Sequence, residues 1–183
     1  VWKQAGIVVL PGVGFDVVPT DCMAAMLKEA LPGANFLRLA FKSRKGKLSP
    51  GTAKTMIEGF GQGCTVRRNG QLEQKAFGSI SDVLPYPGGP AVSVVIPWGD
   101  VSTAYYSTGI PNIEVYTAVP RANVDDLKRV GTYTRFLKWR WAQRLAKKIV
   151  ERTVIGPNEL ERDADASELY GDVTDPSGNR LSM

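Results

Sequence analysis

The sequence predicts an α+β domain, a mixed and largely antiparallel sheet of about six strands with its helices mainly on one face. Three observations predict it. Residues 36–41 and 112–119 alternate apolar and polar side chains, so each strand would bury one face and leave the other polar or interface-facing. Asn69-Gly70 separates Cys64-Thr-Val-Arg-Arg68 from Gln71-Leu-Glu-Gln-Lys75, and because both turn residues tolerate positive φ the pair signals a tight, largely exposed hairpin. The segment between the apolar runs 91–96 and 112–119 is short for a parallel crossover, which leaves antiparallel or mixed pairing at least as favourable.

The elements follow in order. Residues 5–10 form a continuous apolar run closed by Pro11-Gly12, the pattern of a strand buried on both faces. Thr20 can cap a helix that runs to about Leu31 and stops at Pro32-Gly33. Cys22, Met26 and Ala30, with Met23 and Leu27 beside them, give its buried stripe. After the strand at 36–41 comes a polar, basic connection, and Ser49-Pro50 opens a short helix through Phe60 with Ala53, Met56, Ile57 and Phe60 on its core side. Beyond the hairpin, Pro85-Tyr-Pro-Gly-Gly-Pro90 reads as a loop before the strand 91–96. Asp100 or Ser102 can cap a helix through Ser107, ended by Gly109 and Pro111. Residues 123 to about 154 read as one long helix, with Leu127, Val130, Thr134, Leu137, Trp141, Leu145 and Ile149 along one side and Gly131 as a weak point. Two last strands, 170–174 and 180–183, are joined by the turn Asp175-Pro-Ser-Gly-Asn179.

Composition narrows the class. A chain of 183 residues suits one domain, and a domain of that size buries roughly 70% of the surface its unfolded chain exposes. No apolar run approaches the roughly 18 residues of a spanning helix, so the intact protein is expected in the cytoplasm. The two cysteines, Cys22 and Cys64, have no metal-ligand spacing, and the chain has no histidine. That argues against a metal site, a disulfide scaffold and the usual Ser-His-Asp or Cys-His hydrolase chemistry, and it leaves both thiols as expected buried core residues.

Four clusters are candidates for function. Gly12-Val-Gly-Phe-Asp-Val-Val-Pro-Thr-Asp21 looks like half of a dinucleotide-binding signature: the third glycine is missing, and the acids Asp16 and Asp21 at the helix mouth would repel a pyrophosphate. Those acids can cap the helix and complement its dipole, or the two glycines can let backbone approach a ligand near Phe15 and Asp16. Gly51-Thr-Ala-Lys-Thr55 places hydroxyls, amides and a lysine at a helix start, an anion site through Thr52 and Lys54 that is not a Walker loop. An i,i+4 pair between Lys54 and Glu58 competes with that reading. Trp98, Asp100, Thr103, Tyr105, Tyr106 and Thr108 are dense in amphipathic aromatics and hydroxyls and suit a pocket for an extended, partly apolar substrate, although one of the two tyrosines must face the core. Residues 121–152 hold ten Lys and Arg against three Asp and Glu, a net +7, while the rest of the chain is slightly acidic. That segment is a solvated helix face, or it meets an acidic partner such as an acyl carrier protein, or an anionic membrane surface, with Trp139 and Trp141 on different sides of the helix. Nucleic acid is not expected, since no binding module accompanies the charge.

Four segments carry a family resemblance. They are Leu10-Pro-Gly-Val-Gly-Phe-Asp-Val-Val-Pro-Thr-Asp21, Gly51-Thr-Ala-Lys-Thr-Met-Ile-Glu-Gly59, Ile96-Pro-Trp-Gly-Asp-Val-Ser-Thr-Ala-Tyr-Tyr-Ser-Thr-Gly-Ile-Pro-Asn-Ile-Glu-Val-Tyr116 and Tyr170-Gly-Asp-Val. With these the chain resembles the saccharopine dehydrogenase-like oxidoreductases, including trans-acting enoyl reductases, in their second domain only. The resemblance implies that residues 1–183 are a single substrate-binding and dimerisation domain, an excised piece with an N-terminal Rossmann domain upstream and a C-terminal tail downstream. It implies hydride transfer on a small-molecule or acyl substrate, with NAD or NADP bound mainly by the missing domain. Phe15 and Asp16 would then lie on the nicotinamide side of the cleft, and Thr52, Lys54, Trp98, Asp100, Tyr105 and Tyr106 would line the substrate. No catalytic residue is assigned. It implies a homodimer, through the open sheet face or the edge strands. The alternative is a non-catalytic partner-binding or structural module in a lipid-synthesis assembly.

Overall fold

The computed structural model describes residues 4–8, 13–15, 17–43, 50–60, 63–119, 139–156 and 166–183. In chain order the elements are α1 (Val18–Ala30), β1 (Phe36–Ser43), α2 (Pro50–Phe60), β2 (Cys64–Arg68), β3 (Gln71–Lys75), β4 (Ser81–Tyr86), β5 (Gly89–Val95), α3 (Asp100–Thr108), β6 (Asn112–Ala118), α4 (Arg140–Thr153), β7 (Ser167–Thr174) and β8 (Arg180–Ser182). The strands make one mixed sheet in the order β3-β2-β6-β1-β7-β8, with β5 joined to β6 and β4 outside it. Only β1 and β6 run parallel among the described pairs, with Leu37 beside Ile113 and Leu39 beside Val115. Every other described pairing is antiparallel.

Alternation along the strands creates two unlike faces. Leu37 and Leu39 of β1, Ile113 and Val115 of β6 and Val173 of β7 form one apolar layer with Ala24 and Leu27 of α1 and Val101 and Ala104 of α3. The opposite face carries Ala40, Cys64, Val66, Tyr116 and Tyr170, and the β4–β5 hairpin brings Leu84, Tyr86 and Val95 onto it. That hairpin occupies part of the face that the sequence leaves open as a dimer surface. The edge strands β3 and β8 keep Leu72 and Leu181 exposed.

Local chemistry explains three of the element ends. Asn69 at φ 49 and Gly70 at φ 79 make the tight turn between β2 and β3. Gly109 takes φ 69 at the end of α3 and donates its amide to the Tyr105 carbonyl, the left-handed helix stop that glycine makes without strain. Asp175 caps the last turn, accepting bonds from the Ser177 and Asn179 amides and the Asn179 side chain, and these bonds hold its pKa below the usual carboxylate range.

Several expectations are corrected. Residues 5–8 of the expected strand form a turn and coil that pairs with no described strand, with Ile7 and Val8 exposed, and its residues 9–10 lie outside the described residues. The sheet has eight strands rather than about six, since residues 81–86 pair as β4 despite three prolines in the hairpin; Pro85 stands opposite Pro90 on an edge strand, where a missing N–H is tolerated. The β2–β3 hairpin is not largely exposed, since Cys64, Val66 and Arg67 are buried and β3 alone faces out. The buried side of α1 is Thr20, Ala24 and Leu27, while Cys22 and Met26 face solvent. The reason lies beneath it: Gly171 of β7 lets the helix sit so close that a Cβ there would lie 2.6 Å from Met23 Sδ and 2.9 Å from Leu27 Cδ1. Cys22 is therefore an exposed thiol, whereas Cys64 is buried.

The long helix does not run through Trp139, which is extended at φ −83 and ψ 124 immediately before α4. In a continuous helix Trp139 and Trp141 would point apart. The extended residue brings their ring centroids to 6.0 Å instead. The part of that expectation from 123 to 138, like Asp16 and Ser49, lies outside the described residues.

Candidate functional site

Phe41 near the end of β1 organises the first cluster. Its ring packs against Trp98 with centroids 4.7 Å apart and receives Phe15 edge-on at 6.1 Å, so three segments distant in sequence form an aromatic shelf. The shelf lies near the carboxyl ends of the parallel pair, where Phe41 and Thr117 are register partners. Directly after Trp98 the chain enters α3, whose first residue, Asp100, is fully buried. Thr20 of α1 donates to Asp100 Oδ1 at 2.6 Å. About two turns further along α3, Ser107 donates to Asp21 at 3.0 Å. Hydroxyl-to-carboxylate bonds thus stitch the two helices together. Among the described residues, the buried Trp98 Nε1–H and Thr103 Oγ1 meet no hydrogen-bond partner, a rare condition for buried polar atoms.

The remaining candidates divide. Tyr105 is the tyrosine that packs inward: its ring stacks over the Arg67 guanidinium at 4.2 Å. Arg67 also donates to the Val101 carbonyl at 2.9 Å and to the Gly70 carbonyl at 2.6 Å. Tyr105 therefore belongs to the joint between α3 and the β2–β3 turn. Tyr106 is 84% exposed. Thr52 is exposed on α2. Lys54 binds Glu151 of α4 at 2.6 Å and draws that carboxyl below its ordinary pKa. The structure thus brings Phe15, Trp98 and Asp100 to one end of the α1–α3 layer, places Tyr105 and Tyr106 further along α3, and gives Lys54 to the α2–α4 pair.

Sequence reasoning missed a charged row on the other sheet face. Across five neighbouring strands stand Arg68 (β2), Glu114 (β6), Arg38 (β1), Asp172 (β7) and Arg180 (β8), with alternating sign. Arg38 grips Asp172 with Nε at 3.1–3.2 Å and Nη2 at 3.0 Å, and its Nη1 reaches Asp82 of β4 at 2.6 Å. Burial opposes the Arg38 charge, but the bonds to Asp172 and Asp82 outweigh it, so its pKa is raised. Arg180 adds a 3.1 Å bond to Asp172 and a 3.0 Å bond to the Tyr170 hydroxyl. Glu114 accepts short bonds from Arg68 and the Tyr116 hydroxyl. The available signals were the alternation that places Arg38 opposite Leu37 and Leu39, and the Asp within Tyr170-Gly-Asp-Val.

A second ionic cluster fixes the tip of the β4–β5 hairpin. Lys42 lies 2.9 Å from Glu168, which also accepts the Gly88 amide at 3.0 Å. A Cβ on Gly88 would collide with that carboxylate. Tyr86 lies 2.9 Å from the Ser93 hydroxyl. Burial pushes the Tyr86 phenol up to about 12, with Ser93 opposing and the Glu168 charge assisting. A phenol whose pKa is raised by folding leaves stability intact below about pH 10, the unfolded value. Above it the unfolded chain ionises first, so stability is expected to fall as pH rises from about 10 toward 12. Chemical denaturation of wild type and Tyr86→Phe across that window checks this. The variant's slope should be shallower, and identical slopes would remove Tyr86 as a contributor.

No family model matches this sequence, and no curated protein matches it. Among the described residues no helix is long and apolar enough to cross a membrane, and no group of three or more His, Cys, Asp or Glu could hold a metal ion. The solved structures include a similar chain, apo histidine-tagged saccharopine dehydrogenase (L-Glu forming) from Saccharomyces cerevisiae, at 10% identity and a TM-score of 0.48, over 98% of this chain and 59% of that one. This chain therefore spans less than two thirds of that protein's length.

Proposed function

We propose that this chain is the substrate-facing domain of an NAD(P)-dependent oxidoreductase that transfers hydride to or from a small or acyl-linked substrate, with the nicotinamide nucleotide held by another domain. The observation that carries the reading is the Trp98 shelf. Two of the segments that resemble saccharopine dehydrogenase-like enzymes, around Phe15 and around Trp98, meet there across Phe41, beside an indole N–H that is buried and unpartnered. An aromatic cluster of this kind suits the apolar chain of an acyl thioester or ketone, and a turn of the Trp98 ring on binding would bring its buried N–H to the carbonyl. The division of labour has its own support. One parallel strand pair makes no doubly wound nucleotide fold among the described residues, and Asp21 and Asp100 sit where a pyrophosphate would need positive potential.

In this reading Phe15 and Trp98 orient substrate and exclude water, and the cofactor supplies the hydride when bound. Titration calorimetry with NADPH, NADH and a short enoyl thioester of pantetheine tests it. Neither nucleotide is expected to show saturable submillimolar binding to this chain, whereas the thioester should bind. Trp98→Phe, which keeps the ring and loses the donor, should weaken the thioester by up to about tenfold, the worth of one hydrogen bond. Tight nucleotide binding would overturn the division of labour, and a thioester indifferent to Trp98→Phe would remove the shelf as its site. A second reading, a partner-binding module without catalysis, is favoured by the exposed surface of α4.

A further inference from the structure

Helix α4 exposes an apolar row on its surface. Trp141, Leu145 and Ile149, at i, i+4 and i+8, are 63%, 55% and 53% exposed, and Trp139 and Ile155 extend the apolar surface beyond either end. Beside that row, three residues on in each case, runs a second exposed row of Arg144, Lys148 and Arg152. Ala142, Ala146 and Val150 on the other flank are half-buried, and α2 packs along this helix with Ala53 and Ile57 buried. The one acid of α4, Glu151, is paired to Lys54 of α2 at 2.6 Å. The cationic row therefore contains no carboxylate of its own.

We propose that α4 docks this protein onto an anionic lipid surface, lying in the plane of the headgroups. The helix is 14 residues long, about 21 Å at 1.5 Å per residue, too short to span a bilayer and suited to lying along one. With the apolar row turned into the headgroup boundary, the adjacent cations extend sideways to lipid phosphates, and their stems cover the apolar flank. The adjacent Trp139–Trp141 pair, its rings tilted by 34°, puts two amphipathic rings at one end, at the depth such rings favour in an interface. Charge complementarity selects anionic over zwitterionic lipid, because each surface-held cation adds roughly 1 kcal/mol only where the leaflet is negative. The break before α4 contributes directly: had Trp139 been helical, the two rings would point to different sides and only one could enter.

Vesicle co-sedimentation of the full chain tests this, with phosphatidylcholine vesicles compared with vesicles in which a portion is replaced by phosphatidylserine. Binding is expected to the mixed vesicles, to weaken with added salt, and to be accompanied by a blue shift of tryptophan emission. The triple replacement Arg144→Gln, Lys148→Gln, Arg152→Gln should lower the partition coefficient on the order of 100-fold. Leu145→Gln with Ile149→Gln should lower it at least about tenfold. Because all five side chains are exposed, circular dichroism should show folded variants. Trp139→Phe with Trp141→Phe should retain sedimentation and lose the blue shift. Equal binding to both vesicle types, no binding at low salt, or indifference to both multiple variants would overturn the proposal. So would a concentration-dependent dimer abolished by Leu145→Gln with Ile149→Gln, which would make a second copy the occupant of this row.

Discussion

Replacing Arg38 by Ala is expected to lower unfolding free energy by about 3–5 kcal/mol, the usual consequence of removing one member of a buried ion pair. Asp172 is only 1% exposed, so without Arg38 its carboxylate stays desolvated with a weakened counterion set. Arg180 also reaches it, but its side chain is 49% exposed, and a solvent-screened cation compensates in part. Asp82 loses its partner as well and, being half exposed, regains water. Urea denaturation should show a lower midpoint at unchanged slope. A loss below about 1 kcal/mol would class the row with ordinary surface pairs. Replacing Arg38 and Asp172 together by Met and Leu should recover most of the loss, because the cost lies in the stranded charge and not in the missing attraction.

Leu27→Ala is the second large effect, expected at about 3–5 kcal/mol. Leu27 is fully buried in the layer that joins α1 to β1, β6 and β7. The spread in such costs depends on how far the surroundings can collapse, and here they cannot collapse far, because the strand position beneath is a glycine with no side chain to move. That geometry predicts a specific coupling. In the wild-type background Gly171→Ala forces its new Cβ against Met23 and Leu27 and should cost about 1–3 kcal/mol. In the Leu27→Ala background one of the two clashes is gone and the flexible Met23 side chain can swing into the space that Leu27 vacates, so the double variant should be more stable than the sum of the single losses by about 1 kcal/mol or more. Strict additivity in thermal or urea unfolding would show that α1 shifts as a body and that the contact is not fixed.

What could be read in advance was what short-range chemistry determines. The Asn69-Gly70 turn, the Gly109 stop and the sorting of β1 side chains to two faces depend on backbone preferences and side-chain period within a few residues, and the structure has them in place, whereas β6 is buried on both faces from 113 to 116, against the expected open side. The mixed sheet with α1 and α3 on one face follows from those elements. What was hidden depended on distant partners. Arg38 falls on the polar side of the β1 alternation, and its partners lie 134 and 44 positions away, at Asp172 and Asp82. Prolines concealed β4 because an edge strand tolerates them, and the offset stripe of α1 is explained by Gly171, on a strand far downstream. Among the candidate site residues, Phe15 and Trp98 gained their shared neighbour, Phe41, only through the fold, since each was read from its own segment.

The position of β1 between β6 and β7 also governs the order in which the chain can become a protein. Its two neighbours arrive late: Asn35, just before β1, bonds to Asn112 across 77 positions, and Arg38 closes on Asp172 across 134. During synthesis Leu37 and Leu39 leave the ribosome with neither flank available, whereas the β2–β3 and β4–β5 hairpins close with residues already at hand. Closing such long loops costs entropy before any burial returns it, which puts the chain among slow, non-local folders. A strand flanked on both sides in the finished sheet is thus the longest-exposed described strand of the nascent one, and a chain released before residue 174 would carry that apolar edge unpaired.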